Sequence, residues 1–153
     1  MNNPPPIHDQ LCFRLYQATM AINRAYKPAL DKLDLTYTQY IVMCALIEKG
    51  PLTIGQIAQY LNLESSTVTP LVKRLEKSGS VTRKRNPEDE RQVLVELTKE
   101  GRDLRAKANC LGAILLEASA MPIPRLIGLN EEVKAFRDAV FKFSSHDAER
   151  KQS

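Results

Sequence analysis

The stretch TIGQIAQYLNLESSTVTPLVKRLEKSGSVTRKRNPEDERQVLVELT, residues 53–98, decides the fold. Thr53 is a helix-capping residue, and Ile54, Ile57, Ala58 and Leu61 after it share one helical face. Asn62-Leu63-Glu64 reads as a turn. A second helical segment starts at Ser65, with Val68, Leu71, Val72 and Leu75 inward and Gly79 as its stop. Pro70 removes a backbone donor near the start of this segment, so Thr69-Pro70 also reads as a separate helix start. Past Gly79 the period changes. Val81 opens a basic strand, VTRKR, Asn86-Pro87-Glu88-Asp89 carries turn chemistry, and Val93, Val95 and Leu97 then alternate. Two short helices joined by a three-residue turn and followed by a hairpin make a winged helix-turn-helix.

On the N-terminal side, Pro4, Pro5 and Pro6 belong to an extended tail, and Asp9 is the expected cap of a helix. Leu11, Leu15, Ala18, Ile22, Ala25 and Ala29 recur at steps of three and four, which is an amphipathic helix bent or restarted near its end by Pro28. A second helix is predicted from Thr38 to about Lys49, closed by Gly50-Pro51. On the C-terminal side, Thr98 caps one long helix, KEGRDLRAKANCLGAILLEASA, and Met121-Pro122-Ile123-Pro124 breaks it. The last helix, Asn130 to about Phe143, carries Val133, Phe136, Val140 and Phe143 on one face. The expected architecture is mostly α in a single domain. The winged helix covers about residues 36–98, and the dimerising helices cover about 9–34 and 107–145. Those flanking helices carry apolar faces that a lone winged helix cannot cover.

Composition narrows the functional classes. A chain of 153 residues, 43% hydrophobic and 26% charged, is an ordinary globular domain, and without Trp its core must be largely aliphatic. The longest uncharged stretches, Leu35 to Ile47 and Gly50 to Leu63, are too short for a membrane span and the second is too polar. The opening MNNPPPIHDQLCF has neither a cationic start nor an apolar run, so no secretory signal or lipid anchor is expected. Cys12, Cys44 and Cys110 are odd in number and widely spaced, and they read as free thiols in a reducing cytoplasm. Cys44 lies in the apolar IVMCALI and reads as an inert core residue. His8 and His146 fall in terminal segments. There is no metal-ligand spacing, phosphate loop, catalytic triad or carboxylate pair, so no metal, cofactor or enzymatic chemistry is expected.

Charge placement points to DNA. From Ser65 to Arg85 the bases Lys73, Arg74, Lys77, Arg83, Lys84 and Arg85 face one acid, Glu76, a net +5 where the whole chain carries +4. Basic charge focused in this way neutralises phosphates and releases counterions. Ser65, Ser66, Thr67 and Thr69 at the front of the second helix suit base edges and phosphate oxygens in the major groove. Arg91, just past the hairpin tip, has the reach for the adjacent minor groove. A solvated strand face explains RKR alone, and a cap explains Ser-Ser-Thr alone; the ordered combination favours double-stranded DNA.

LTYTQYIVMCAL, SSTVTPLVKRLEKSG and RKRNPEDERQVLVELTKEG resemble the MarR family of winged-helix repressors. The opening LCFRLYQATMAINRAYKPAL resembles one branch of it, the organic-hydroperoxide-sensing (OhrR) repressors. Similarity is good from about Leu11 to Lys107. It implies that Asp89 and Arg91 pair to set the wing arginine for the minor groove, and that Cys12 is a redox-sensing thiol whose sulfur takes hydroxyl donors from Tyr26 and Tyr37, with Tyr16 close by. Ser80 departs from the larger residue the family usually carries.

These implications place a geometric demand on the chain. Cys12 and Tyr26 are fourteen residues apart, about 21 Å along one straight helix. They meet only if two antiparallel copies exchange them, and a homodimer is also what a pseudo-palindromic operator requires. Packing alone is the competing role for Cys12 and for the tyrosines. Two-cysteine members of the branch carry a resolving cysteine near the position of Glu117. Cys110 is seven residues earlier, about 10 Å along a helix, whereas a disulfide needs Cα atoms within about 7 Å. Closure of the oxidised state by a low-molecular-weight thiol is therefore expected, with Cys110 the lesser candidate. Two other functions are compatible with the residues: a repressor released by a small aromatic ligand, and a thiol peroxidase using Cys12.

Overall fold

The computed structural model describes residues 4–150, with side chains through residue 144. A 3-10 turn, Ile7–Asp9, precedes α1 (Leu11–Lys32), α2 (Tyr37–Lys49), α3 (Ile54–Leu61) and α4 (Ser65–Lys77). The hairpin β1 (Val81–Arg85) and β2 (Val93–Leu97) follows, then α5 (Lys99–Lys107), α6 (Cys110–Ser119) and α7 (Ile123–Arg150). The winged helix-turn-helix is present as predicted, and the chain is mostly helical. Two compact units are distinguished, one through Leu115 and one from Leu116.

Local chemistry sets the helix starts in the first unit. Thr36 and Thr53 each accept a hydrogen bond from the backbone of Gln39 and Gln56, whose side chains return one to the capping residue's own amide. Such reciprocal caps satisfy two otherwise orphaned donors. Thr36 therefore starts α2 at Tyr37, one residue before the expected Thr38. Between α3 and α4, Asn62 takes the left-handed conformation (φ 52°) that closes one helix and redirects the chain into the next. Gly79, at φ 78°, does the same after α4.

The two strands pair antiparallel, Val81 opposite Leu97 and Arg85 opposite Val93. Leu52 adds a bridge to Val95, with amide-to-carbonyl distances of 3.1 and 2.7 Å, so the α2–α3 connection is fastened to the base of the wing. Met43, Val42, Ile57, Val68, Val72, Leu75, Val81 and Val95 form the fully buried centre, joined by Leu30 of α1 and Leu111 of α6. Every residue expected to point inward from α4 is buried; Ile54 and Leu61 of α3 are partly so.

Other boundaries differ more from the sequence reading. Asp9 does not cap α1. Its amide is held by Pro6 (2.8 Å) in the 3-10 turn, Gln10 takes the capping position in extended conformation without a side-chain cap, and Cys12 becomes the second helical residue. Neither Pro28 nor Pro70 restarts a helix; α1 and α4 run through them. Each frees the carbonyl four residues earlier, at Arg24 and Ser66, and both residues are exposed to water. The long helix predicted from Lys99 is two, because Ala108 and Asn109 make tight amide bonds to Arg105 and Ala106 (both 3.1 Å) that close α5. Conversely α7 begins at Ile123, not Asn130. Pro122 and Pro124 fall at its capping and second positions, where a missing amide costs nothing.

The second unit contains the end of α6 and α7. Along α7, Ile123, Ile127, Val133, Phe136, Val140 and Phe143 are 41–72% exposed. Among the described residues, no single helix is long and apolar enough to cross a membrane.

Candidate nucleic-acid interface and thiol site

At the front of α4, Ser65, Ser66 and Thr67 are exposed, and the Thr69 hydroxyl donates back to the Ser65 carbonyl at 2.8 Å. Thr69 thus retains only acceptor capacity for an outside partner. Lys73 and Arg74 are exposed one to two turns further along, with no ion pair among the described residues. The predicted bases of β1 divide into two kinds. Arg83 is held by Glu76 of α4, with nitrogen–oxygen distances of 2.8 and 3.0 Å, and Lys84 reaches Glu96 across the hairpin at 3.3 Å. Arg85, Lys73 and Arg74 keep their charge for an external anion.

The wing tip is a tied loop. Asn86 donates its backbone amide to the Gln92 carbonyl (2.9 Å) and its side-chain Nδ2 to Gln92 Oε1 (3.1 Å), and its Oδ1 accepts from the Glu88 amide at 3.0 Å. Asp89 accepts from the backbone amide of Arg91 at 3.1 Å. The resemblance implies a pair between these two residues; in this chain the contact is carboxylate to backbone, and among the described residues no ion pair joins the side chains. Asp89 therefore fixes the turn from which the exposed Arg91 projects.

The base of the wing holds contacts that the sequence reading does not foresee. Thr98 donates its hydroxyl to the carbonyls of Gly79 (2.7 Å) and Ser80 (3.2 Å), accepts from the amide of Gly101 at 3.0 Å, and gives its own amide to Ser80 at 3.1 Å. A side chain at Gly101 would collide with the Ser80 carbonyl. Ser80 itself is 3% exposed, and its hydroxyl shares a 3.0 Å bond with that of Ser78.

Of the predicted redox residues, the first unit brings together Tyr26 and Tyr37, whose ring centres lie 5.8 Å apart. Cys12 and Tyr16 are exposed at the far part of α1, and the only polar contact of the Cys12 sulfur among the described residues is to the side-chain Oε1 of Gln10 at 3.9 Å. Cys110 is exposed, with its sulfur 3.6 Å from the Lys107 carbonyl. Cys44 departs from expectation. It is half-buried and accepts from Arg105 Nε at 3.0 Å, because it lies on the edge of α2 that α5 covers.

Sequence reasoning also missed Tyr40 and Arg105. Tyr40 stacks on Tyr37, 5.8 Å between centres, and the Arg105 guanidinium lies 4.7 Å over the Tyr40 ring. Burial, and next the charge of Tyr37, raise the Tyr26 hydroxyl above its ordinary pKa. Burial likewise raises Tyr37, with Cys44 adding to it. Tyr40 is pushed up to about 12, chiefly by burial and then by its bond with Cys44, while Arg105 pulls the other way. All three hydroxyls stay protonated donors at neutral pH. The one signal for this cluster was the one-turn spacing of Tyr37 and Tyr40; nothing local marked Arg105, sixty-one residues from Cys44.

A helix-turn-helix with serines and threonines at the head of its second helix, unpaired bases behind them and an arginine on a tied wing defines a winged-helix DNA-binding regulator. The chain belongs to the SarA/Rot family of transcriptional regulators, MarR-like winged-helix proteins whose model matches residues 24–107. It is 38% identical over 135 residues to the organic hydroperoxide resistance transcriptional regulator of Bacillus subtilis, covering 88% of this chain and 87% of that protein. It is 40% identical over 137 residues to the regulator TtmR of Methylorubrum extorquens, covering 90% of this chain and 70% of that protein. The structure of reduced AbfR bound to DNA superposes with a TM-score of 0.67 at 32% identity, covering 88% and 94% of the two chains.

Proposed function

We propose that this regulator is a homodimeric repressor that holds a pseudo-palindromic operator when reduced and releases it when Cys12 is oxidised by an organic hydroperoxide. The observations that carry the reading are an exposed thiol near the start of α1 and, apart from it in the same chain, a cluster of protonated tyrosine hydroxyls at Tyr26 and Tyr37. The name of the Bacillus relative and the reduced, DNA-bound state of AbfR support it. The exposed apolar face of α7 supplies the surface for a second copy, and an antiparallel arrangement delivers Cys12 of one copy to the tyrosines of the other. Ser65, Ser66, Thr67 and Thr69 enter the major groove, Lys73, Arg74 and Arg85 take phosphates, and Arg91 takes the minor groove. Arg83 and Lys84 contribute only after giving up Glu76 and Glu96. The reducing cytoplasm is the compartment for such a sensor.

The chemistry is a two-electron oxidation. Sulfur attacks the terminal oxygen of the hydroperoxide, the O–O bond breaks, and the alkoxide leaves with a proton as the alcohol. The product is a Cys12 sulfenic acid. A low-molecular-weight thiol then displaces water to form a mixed disulfide. Cys110 is the lesser resolving candidate, since its exposed sulfur is in reach only if α6 shifts.

The test is a gel shift with promoter DNA, with and without organic hydroperoxide, on the wild type and on Cys12→Ser. Release from the wild type and retention by the variant is the expected result. Equal release from both eliminates Cys12 as the sensor, and release of the variant by aromatic acids alone identifies a ligand-controlled repressor. Mass spectrometry of the oxidised protein separates a small-thiol adduct from a Cys12–Cys110 disulfide.

A further inference from the structure

We propose that Arg105 is a positioning residue that couples the tyrosine cluster to the recognition helix and wing. The inference deepens the peroxide-sensing function and rests on it for its physiological meaning. Arg105 is held in three ways at once. Nε donates to Cys44 at 3.0 Å, Nη1 donates to Asn109 at 2.6 Å, and the guanidinium plane covers Tyr40 at 4.7 Å from the ring centre. A planar fork satisfied on two edges and one face has a single orientation, unlike a lysine in the same place.

Arg105 ends a continuous run of contacts. Tyr26 of α1 touches Tyr37, Tyr37 touches Tyr40, both of α2, and Tyr40 carries the guanidinium of α5. The other end of α5 is fastened to the DNA-reading parts. Thr98 holds the carbonyls of Gly79 and Ser80, which are the residues that leave α4 and enter β1, and Gly101 lies against the Ser80 carbonyl. Seven residues of helix, about 10 Å, separate Thr98 from Arg105. A helix this short moves as one piece. Displacing Tyr37 shifts the ring under Arg105, and the opposite end of α5 then shifts the exit of α4 and the base of the wing together. Packed contacts of this kind transmit steps because they resist continuous deformation.

Spatial order alone does not demonstrate coupling, so the experiment measures it. Operator affinity is determined by fluorescence anisotropy for the reduced full-length protein on a duplex from its own promoter region. Four forms complete a cycle: wild type, Tyr37→Ala, Arg105→Met and the double variant. The expected result is that Tyr37→Ala changes affinity about five-fold when Arg105 is present and less than about two-fold in the Arg105→Met background. An equal change in both backgrounds overturns the proposal. Should Arg105→Met fail to fold, Asn109→Ala, which removes only the 2.6 Å anchor, takes its place with the same two criteria.

A second readout ties the coupling to oxidation. In Arg105→Met, Cys12 is expected to react with organic hydroperoxide at the wild-type rate by mass spectrometry, while DNA release needs about ten-fold more peroxide, roughly 1.4 kcal/mol of lost coupling. Release at the wild-type dose overturns the proposal. If wild-type Cys12 is not oxidised at all, the sensing function fails, whereas the cycle on the reduced protein still decides the role of Arg105.

Discussion

The winged helix and the helices that flank it are built from similar numbers of apolar side chains and treat them in opposite ways. In the segment from α2 to β2 those side chains close on one another: Val42, Met43, Ile57, Val68, Val72, Leu75 and Val95 are all at 0% exposure. In α1 the apolar stripe buries fully only Tyr26 and Leu30, and Leu11 and Met20 stay 56% and 40% exposed. In α7 the stripe from Ile123 to Phe143 stays exposed along its length. A buried branched or aromatic side chain is worth about 1.5–3 kcal/mol, so an uncovered face of this length is a large unrealised stabilisation. The contrast teaches that the middle of the chain closes on itself, whereas the flanks leave apolar faces exposed, as the proposed homodimer requires.

The sharpest way to break the comparison is to spoil the flank and leave the middle alone. Phe136→Glu with Val133→Glu places two charges on the exposed face of α7. The winged helix should keep its secondary structure by circular dichroism, while light scattering reports a monomer. Operator affinity should fall about 100-fold or more, because a dimer engages two half-sites and a monomer one. A double variant that stays dimeric and binds DNA normally would show that α7 is not the dimer surface.

The next largest effect lies inside the middle region. Gly101→Ala drives a methyl into the Ser80 carbonyl, and that carbonyl cannot retreat because Thr98 holds it on two sides. Overpacking of this kind costs about 1–3 kcal/mol or displaces α5 from the wing base. Thermal denaturation should show the loss, and DNA binding should weaken even at temperatures where the protein is folded. Normal stability and binding would mean that the clamp at Ser80 is slack.

Arg91→Ala is expected to act on binding only. It sits exposed at the wing tip and contributes nothing to the core. Affinity should fall about ten-fold, and the slope of log affinity against log salt should decrease by about one. Arg83→Ala should do less to the salt slope, since Arg83 already spends its charge on Glu76. The reverse order would mean that the Glu76 pair opens on DNA and that Arg83 is the stronger contact.

The same division between regions governs what was legible in the sequence. The helix-turn-helix, its turn at Asn62, the stop at Gly79, the hairpin and the inward face of α4 could all be read because each is set by residues within a few positions of one another. The caps at Thr53 and Thr98 were legible for the same reason. Misreadings cluster where a local rule has a positional exception. Pro28 and Pro70 looked like breaks, yet each frees a carbonyl that water reaches; Pro122 and Pro124 looked like a gap, yet they open α7. The start of α1 was misplaced because Asp9, a good cap by type, is held inside a 3-10 turn by Pro6. The thiol and DNA residues were chosen by resemblance and charge, and the partners of Cys44 were not visible at all. No local pattern ties Cys44 to Arg105, and only the packing of α5 on α2 creates that contact.

The smallest prediction contrasts two threonines and reverses its sign between regions. Thr53 caps α3 in the middle region, accepting from the Gln56 amide at 3.1 Å while the Gln56 side chain returns a 2.9 Å bond to the Thr53 amide. Thr53→Ala removes the acceptor and leaves an orphaned donor at the helix start, at a cost of about 1 kcal/mol. For a domain of this size that lowers Tm by about 3 °C. Thr19 lies on the exposed surface of α1 and donates its hydroxyl to the Leu15 carbonyl at 3.0 Å, a carbonyl already inside the helix. That back-bond adds no missing partner and alanine is the better helix former, so Thr19→Ala should be neutral or raise Tm slightly. The pair is measured by differential scanning calorimetry on otherwise identical protein. A loss at Thr19 comparable to that at Thr53 would show that the exposed side of α1 is covered in the folded assembly, and the flank would then owe its stability to a second copy on that face as well as on α7.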